Sequence, residues 1–111
     1  MEERTAKFGE NVIDFCKTLE IDIVSKVLIN QLVRSATSVG ANYMEANSAS
    51  SRKDFRNKIY ICKKEIQETK HWLRMLAHSS GDNNNEIEKL WSEAEELTLI
   101  FGKIVSTLNS K

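Results

Sequence analysis

The chain has 111 residues, of which 41% are hydrophobic and 29% are charged, and its formal net charge is zero. This composition excludes an intrinsically disordered chain, and the length suits one domain, residues 1–111, with one hydrophobic core. No apolar run reaches the roughly 18 to 20 residues of a membrane span, and the first residues lack the pattern of a signal peptide. We therefore expect a cytoplasmic protein without a membrane-bound role.

The chain contains no proline and four glycines, so it has few residues that break helices. Apolar residues recur every three or four positions, which predicts amphipathic helices over residues 3–19, 23–46, 52–78 and 86–108. Connectors of about three to eight residues make successive helices antiparallel. The predicted fold is all-α, an antiparallel up-down-up-down four-helix bundle.

The first helix has one apolar stripe, which consists of Phe8, Val12, Phe15 and Leu19. Asp22 follows the turn and is positioned to cap the second helix. The buried stripe of the second helix consists of Leu28, Leu32, Ala36, Val39 and Tyr43. Beside it, Gly40 permits the close approach of another backbone. Cys16 and Cys62 lack the spacing of a metal site and are predicted to be reduced core residues.

The second helix also carries a polar stripe beside its apolar one. Within an arc of about 80° lie Gln31, Arg34, Ser38, Asn42 and Glu45. On the third helix, Glu65 and Glu68 flank the apolar stripe. An arginine facing two glutamates predicts a partly buried network of charge-assisted hydrogen bonds. A solvated helix edge is the alternative.

The third helix begins after Ser51, whose spacing to Asp54 is similar to that of a capping box. The predicted buried stripe of this helix consists of Phe55, Ile59, Cys62, Ile66, Thr69, Leu73 and Leu76. Opposite it lies a surface that we call the basic face, which consists of Lys53, Arg56, Lys63, Lys64, Lys70 and Arg74. Tyr60 and His71 lie among these cations and are suited to stacking. Because the acids of the helix fall outside this sector, the basic face predicts binding of RNA or DNA phosphates. An ordinary solvated helix face is the alternative.

A polar connector at residues 78–85, with Gly81 as the helix stop, leads to the fourth helix. The predicted buried stripe of this helix consists of Ile87, Leu90, Trp91, Ala94, Leu97, Thr98, Phe101, Val105 and Leu108. Residues 82–103 contain six acids and two bases, whereas residues 51–78 contain eight bases and three acids. Opposite charges favour the pairing of these helices, although surface ion pairs contribute only about 0 to 1 kcal/mol each.

Helices two and three also carry a family resemblance. The segment NQLVRSATSVGANYMEA at residues 30–46, with SRKDF at 51–55 and KEIQETKHWL at 64–73, resembles the signature of a bacterial family of four-helix bundles. The founding members of that family are encoded by intervening sequences inside 23S ribosomal RNA genes. Many relatives have isoleucine where this chain has Tyr43 and glycine where it has Ala46.

The resemblance implies a homo-oligomer, because pentameric rings are known among relatives. A related accessory protein of diversity-generating retroelements binds nucleic acid and a reverse transcriptase. The polar residues that the family shares correspond to Arg34, Ser38, Asn42, Glu45 and Glu68. Together with Glu65 they are predicted to form a structural polar network or a subunit contact. The resemblance establishes no enzymatic activity for the family, and the role of most members is unknown.

Three functional hypotheses follow from the sequence. The first is an oligomeric module that binds RNA or DNA phosphates. The second is a protein-interaction or scaffold module with no nucleic-acid role, favoured by large side chains beyond one core stripe, namely Ile13, Ile29, Ile61, Trp72, Leu99 and Ile100. The third, an enzyme, lacks support because His71 and His78 have no carboxylate on their face and no HExxH motif or glycine-rich phosphate loop occurs. We therefore predict no catalytic residue, metal site, cofactor or small-molecule substrate.

Overall fold

The structure is a computed structural model that describes residues 1–81 and 85–110. Within these ranges all regular secondary structure is helical, as α1 (Glu2–Cys16), α2 (Ile23–Asn47), α3 (Arg52–Ser80) and α4 (Asn85–Asn109). Each helix packs on the next one along the chain, and α1 also packs on α4. The molecule measures 47 × 21 × 21 Å. The prediction of an all-α four-helix bundle is confirmed.

The helices begin and end at local hydrogen bonds that the sequence encodes. Asp22 accepts hydrogen bonds from backbone N–H groups at the start of α2, and Ser25 Oγ accepts one from Asp22 N, which completes a capping box. These bonds, above all the one from the Ser25 backbone, lower the pKa of the Asp22 carboxyl. Ser51 Oγ accepts from the backbone N–H of Asp54 at 3.0 Å at the start of α3. Gly81 ends α3 with a φ of 70°, a conformation that glycine adopts without steric cost.

Two boundaries differ from the predicted ones by more than one residue. α1 ends at Cys16, because the backbone N–H groups of Thr18 and Leu19 bond to carbonyls three residues earlier and tighten the chain into a turn. Leu19 still packs against the core. α3 continues to Ser80, and residues 82–84 of the predicted connector lie outside the described residues.

The core is built from the predicted stripes of all four helices. Its largest side chains, each no more than 1% exposed, are Phe8, Val12, Leu32, Ile59, Ile66, Leu73, Leu97 and Phe101. Burying one such side chain contributes about 1.5 to 3 kcal/mol. The prediction for Trp91 is wrong, because 40% of its surface is exposed. Leu90 and Ala94 are buried at this level of α4, so the core closes without the indole.

α1 is held between its two neighbours by different means. A Cβ at Gly40 would lie 3.4 Å from the carbonyl carbon and oxygen of Thr5, at the limit of ordinary van der Waals contact, so the backbones of α1 and α2 approach closely at this glycine. On the other side, Arg4 donates two hydrogen bonds of 2.8 Å to the Glu93 carboxylate and one of 3.1 Å to Glu96. Because these side chains are partly exposed, the ion pairs orient α1 on α4 more than they stabilise the fold.

Candidate functional site

The basic face lies on α3 away from the core. Lys53, Lys64 and Arg74 are exposed, and Arg56 and Lys63 are half-buried. Over residues 1–81 and 85–110, none of these five side chains forms an ion pair with a carboxylate. Their charges are therefore not offset by a direct ion pair within this part of the protein.

Three acids of α2 and α3 are engaged with cations outside the basic face, whereas Asp54, next to Lys53, accepts a hydrogen bond from Ser50. Glu65 and Glu68 both bind Arg34, and Glu45 binds Lys58. These contacts lie between α2 and α3, on the other flank of α3 from the helix α4. These ion-paired acids therefore lie on the side of α3 that faces α2, whereas the five cations without an ion pair lie on the basic face.

Lys70 differs from the other five residues of the basic face. Its ammonium group pairs with Glu95 of α4 and lies 4.7 Å from the centroid of the Trp91 indole. A cation over an indole is attracted by the negative face of the ring. Lys70 thus joins α3 to α4, and its charge is offset by Glu95.

Trp91 was predicted to be buried, but it is a surface residue. Successive residues of a helix lie about 100° apart, so Leu90 and Trp91 cannot both point at the centre of the core. The smaller hydrophobic Leu90 is buried, and Trp91 lies at the boundary between α3 and α4. This adjacency was the signal that could have identified the indole as exposed.

The two aromatic side chains predicted for stacking are both exposed. Asn109 Nδ2 donates a hydrogen bond of 2.8 Å to the hydroxyl oxygen of Tyr60, which ties the first third of α3 to the end of α4. The His71 ring meets the neighbouring Trp72 ring edge to face, with 4.9 Å between centroids. Tyr60 and His71 remain on the solvent side of α3.

Arg34 is the centre of the polar stripe between α2 and α3. Its Nε donates to Gln31 Oε1 at 3.0 Å, its Nη1 to Glu65 at 3.1 Å and its Nη2 to Glu68 at 2.6 Å. The hydrogen bond to Glu68 and the one to Glu65 raise the pKa of Arg34. Glu65 is buried, whereas Arg34 is exposed at its outer edge. Below Glu65, the Thr69 hydroxyl lies 2.8 Å from Ser35 Oγ.

The rest of the predicted polar set forms separate contacts. Asn42 Nδ2 donates to the backbone oxygen and the hydroxyl of Ser38, at 2.9 and 3.0 Å. Glu45 pairs with Lys58 one level further along the bundle. The six residues Arg34, Ser38, Asn42, Glu45, Glu65 and Glu68 thus follow the α2–α3 boundary as three groups. Their role in subunit contact stays a prediction.

A group of exposed hydrophobic residues, which we call the apolar surface, lies at the start of α2. Its members are Ile23, Val24 and Val27. Ile13 of α1 and Met44 of α2 are also exposed and border a groove of about 360 Å³ between these two helices. Of the six large side chains predicted at contacts, Ile13 and Leu99 are exposed, whereas the others, Ile29, Ile61, Trp72 and Ile100, are half-buried.

Residues 2–103 match the protein family described as 23S rRNA-intervening sequence protein. The chain belongs to this family. A Bacteroides thetaiotaomicron protein of unknown function, from the S23 ribosomal protein family, has a solved structure that matches with a TM-score of 0.83 and 30% sequence identity. The match covers 94% of this chain and 96% of that one. No curated protein matches the chain.

In this member of the 23S rRNA-intervening sequence protein family, both thiols are poorly suited to nucleophilic chemistry. Cys16 and Cys62 are unbridged and buried, and burial raises the pKa of Cys16 to about 11 and that of Cys62 to about 12. Among the described residues, no three His, Cys, Asp or Glu side chains are grouped as metal ligands would be. Over the same residues, none of the helices combines the length and hydrophobicity that a membrane crossing requires.

Proposed function

We propose that this protein binds the phosphate backbone of RNA or DNA through the basic face of α3. The observation that carries the proposal is the group of five cations without an ion pair over the described residues: Lys53, Arg56, Lys63, Lys64 and Arg74. The chain as a whole has no net charge. The positive charge is in local excess at these five residues because acids of α2, α3 and α4 pair with other cations. The proposed function is binding without a reaction, exercised in the cytoplasm.

The physical basis is the release of counterions. Each cation that neutralises a phosphate displaces a condensed counterion from the nucleic acid, and this entropy gain supplies much of the affinity. Five cations along one helix can meet several phosphates of one strand, because residues seven apart lie about 10 Å apart along the helix axis. A contact of this kind reads charge and not sequence.

The test compares two charge-removing double variants. Lys63→Ala with Lys64→Ala removes two charges from the basic face, and Lys7→Ala with Lys26→Ala removes two exposed charges from α1 and α2. Binding of a fluorescent RNA and a DNA of the same sequence is measured by anisotropy over a series of salt concentrations. We expect only the first variant to bind more weakly and to flatten the dependence of log K on log salt, by about 2 for two lost contacts. Equal affinity of the two variants, or affinity that does not change with salt, contradicts the proposal.

We also propose that copies of the chain assemble through the apolar surface. Ile23, Val24 and Val27 are more than half exposed on one helix, and an exposed hydrophobic cluster of this kind is typical of an interaction site. The family resemblance supports a second copy as the partner and a pentamer as the assembly. A ring would repeat the basic face around its rim and strengthen binding to a long strand.

Assembly is tested by light scattering after size-exclusion chromatography. Val27→Lys should lower the molar mass towards that of one chain, because it places a charge in the buried contact. Ser106→Lys, at an exposed polar position of α4, is the matched control and should leave the mass unchanged. A wild-type protein that is monomeric at micromolar concentration refutes assembly. The scaffold function would be favoured instead if Val27→Lys abolishes assembly and if replacing Lys63 and Lys64 by alanine leaves the affinity for nucleic acid unchanged.

A further inference from the structure

We propose that the cleft between α3 and α4 at Trp91 holds one unpaired base of a single-stranded nucleic acid, while Arg74 contacts the adjoining phosphate. This inference rests on the proposed function and adds a second, base-contacting part to it. It also predicts a preference for single strands, which phosphate contacts alone would not provide because every nucleic acid has phosphates.

Trp91 is not needed by the core. Its neighbours on α4, Leu90 and Ala94, are buried and close the core beneath it, while 40% of the Trp91 surface stays in contact with water. An indole offers a large flat apolar face and a single polar atom. Such a side chain on a surface is well suited to stacking, because every base has a π-face that can lie against it.

The cleft beside the indole has the walls that a flat, partly apolar ligand requires. Its volume is about 440 Å³, and its walls are formed by Leu73, Ala77, Ile87 and Trp91 together with Arg74 and Glu88. Lys70 is not part of these walls, so the ammonium group over the indole does not fill the cleft. Apolar walls with a few polar groups at defined positions are characteristic of small-ligand sites.

The two charged side chains of the cleft match the two parts of a nucleotide. Arg74 belongs to the basic face and has no ion pair within the described residues, so its guanidinium can donate to phosphate oxygens. The Glu88 carboxylate is an acceptor and suits the exocyclic amino group of a base, as in the contact that acidic side chains make with cytosine N4.

Only a single strand can present a base to this cleft. In a duplex the bases are stacked on each other, and their faces are closed to side chains unless the strand is unpaired. Phosphates, in contrast, are equally accessible on single and double strands. The indole should therefore contribute to the affinity for single strands and not to the affinity for duplexes.

The experiment measures this difference with variants of Trp91. Trp91→Leu keeps an apolar side chain and removes the ring, and Trp91→Phe keeps a ring. Affinities are measured by anisotropy for a single-stranded RNA, a single-stranded DNA and the corresponding duplexes. We expect Trp91→Leu to weaken single-strand binding by about 5- to 150-fold, the range for loss of one stacked base. Trp91→Phe should restore part of that loss, and duplex affinity should stay within about twofold of wild type. RNA and DNA single strands distinguish the two possible sources of the base.

A direct readout uses the fluorescence of the indole itself. The chain has two tryptophans, so Trp72→Phe leaves Trp91 as the single emitter. Single strands should quench this emission and duplexes should not. Circular dichroism and thermal melting of each variant show whether it remains folded; if Trp72→Phe does not fold, the Trp91→Leu and Trp91→Phe affinities decide alone.

The outcomes separate this inference from the proposed function. Equal losses for single strands and duplexes in Trp91→Leu, or no loss for either, overturn the base-binding cleft while the phosphate contacts of Lys63 and Lys64 stand. Unchanged binding after loss of Lys63 and Lys64 overturns the proposed function. A wild-type protein that binds neither form overturns both.

Discussion

Replacement of Arg34 by alanine should destabilise the bundle through the carboxylate it leaves behind. Over residues 1–81 and 85–110, Arg34 is the hydrogen-bond donor that serves the Glu65 carboxylate. Glu65 is buried between α2 and α3, and its side chain is 11% exposed. Without the guanidinium, this charge keeps neither its partner nor full hydration, which is an unfavourable state for a carboxylate.

Two limits bracket the expected loss of stability. An exposed ion pair contributes about 0 to 1 kcal/mol, whereas stranding one charge of a fully buried pair costs about 3 to 5 kcal/mol. The Arg34 side chain is 47% exposed and that of Glu68 is 36% exposed, so water reaches the outer half of the network. We therefore expect Arg34→Ala to lower the free energy of unfolding by about 2 kcal/mol and Glu68→Ala by less than about 1 kcal/mol.

The assay is urea denaturation followed by far-ultraviolet circular dichroism. Lys26→Ala removes an exposed cation from the same helix and should change stability by less than about 0.5 kcal/mol. Adding Glu65→Gln to Arg34→Ala should recover part of the loss, because a neutral amide is less costly to bury than a carboxylate. The reasoning is refuted if Arg34→Ala costs no more than Lys26→Ala, or if Glu65→Gln makes the double variant less stable still.

Three further predictions test the core, a helix end and the thiols. Leu32→Ala should lower the free energy of unfolding by about 3 kcal/mol, because the side chain is fully buried; a loss below about 1 kcal/mol in urea denaturation is inconsistent with the packing. Ser51→Ala should cost about 1 kcal/mol through the lost cap of α3, and Ser51→Thr, which keeps the hydroxyl, should cost less; equal losses speak against capping. Burial raises the pKa of Cys16 to about 11 and that of Cys62 to about 12. Both thiols should therefore react with a thiol reagent far more slowly in the native protein than in urea, and equal reaction rates would exclude this burial. The free energy of unfolding should also fall as the pH rises above about 9, because thiols of the unfolded chain ionise there and the buried ones do not.

Much of the candidate site was predictable, because it lies on single helices with a regular period. The members of the basic face follow from the 3.6-residue repeat of α3, and so do the positions of Glu65 and Glu68 beside the core stripe. The partner of each charge was not predictable in the same way. That Lys70 binds Glu95, and that Lys58 binds Glu45, depends on the rotation and register of whole helices, which no local pattern encodes.

The sequence by itself determined the four helices, most of their ends and the side of each that is buried. These properties depend on neighbours within a few residues, such as Ser25 for the Asp22 cap or a left-handed glycine at residue 81. The tertiary structure alone decided which exposed groups share a surface: the indole of Trp91 beside Arg74, and Ile13 and Met44 along one groove. The physical reason is that packing between helices is set by the fit of side chains distant in sequence, and only that fit shows which charges remain unpaired and which hydrophobic groups remain in water.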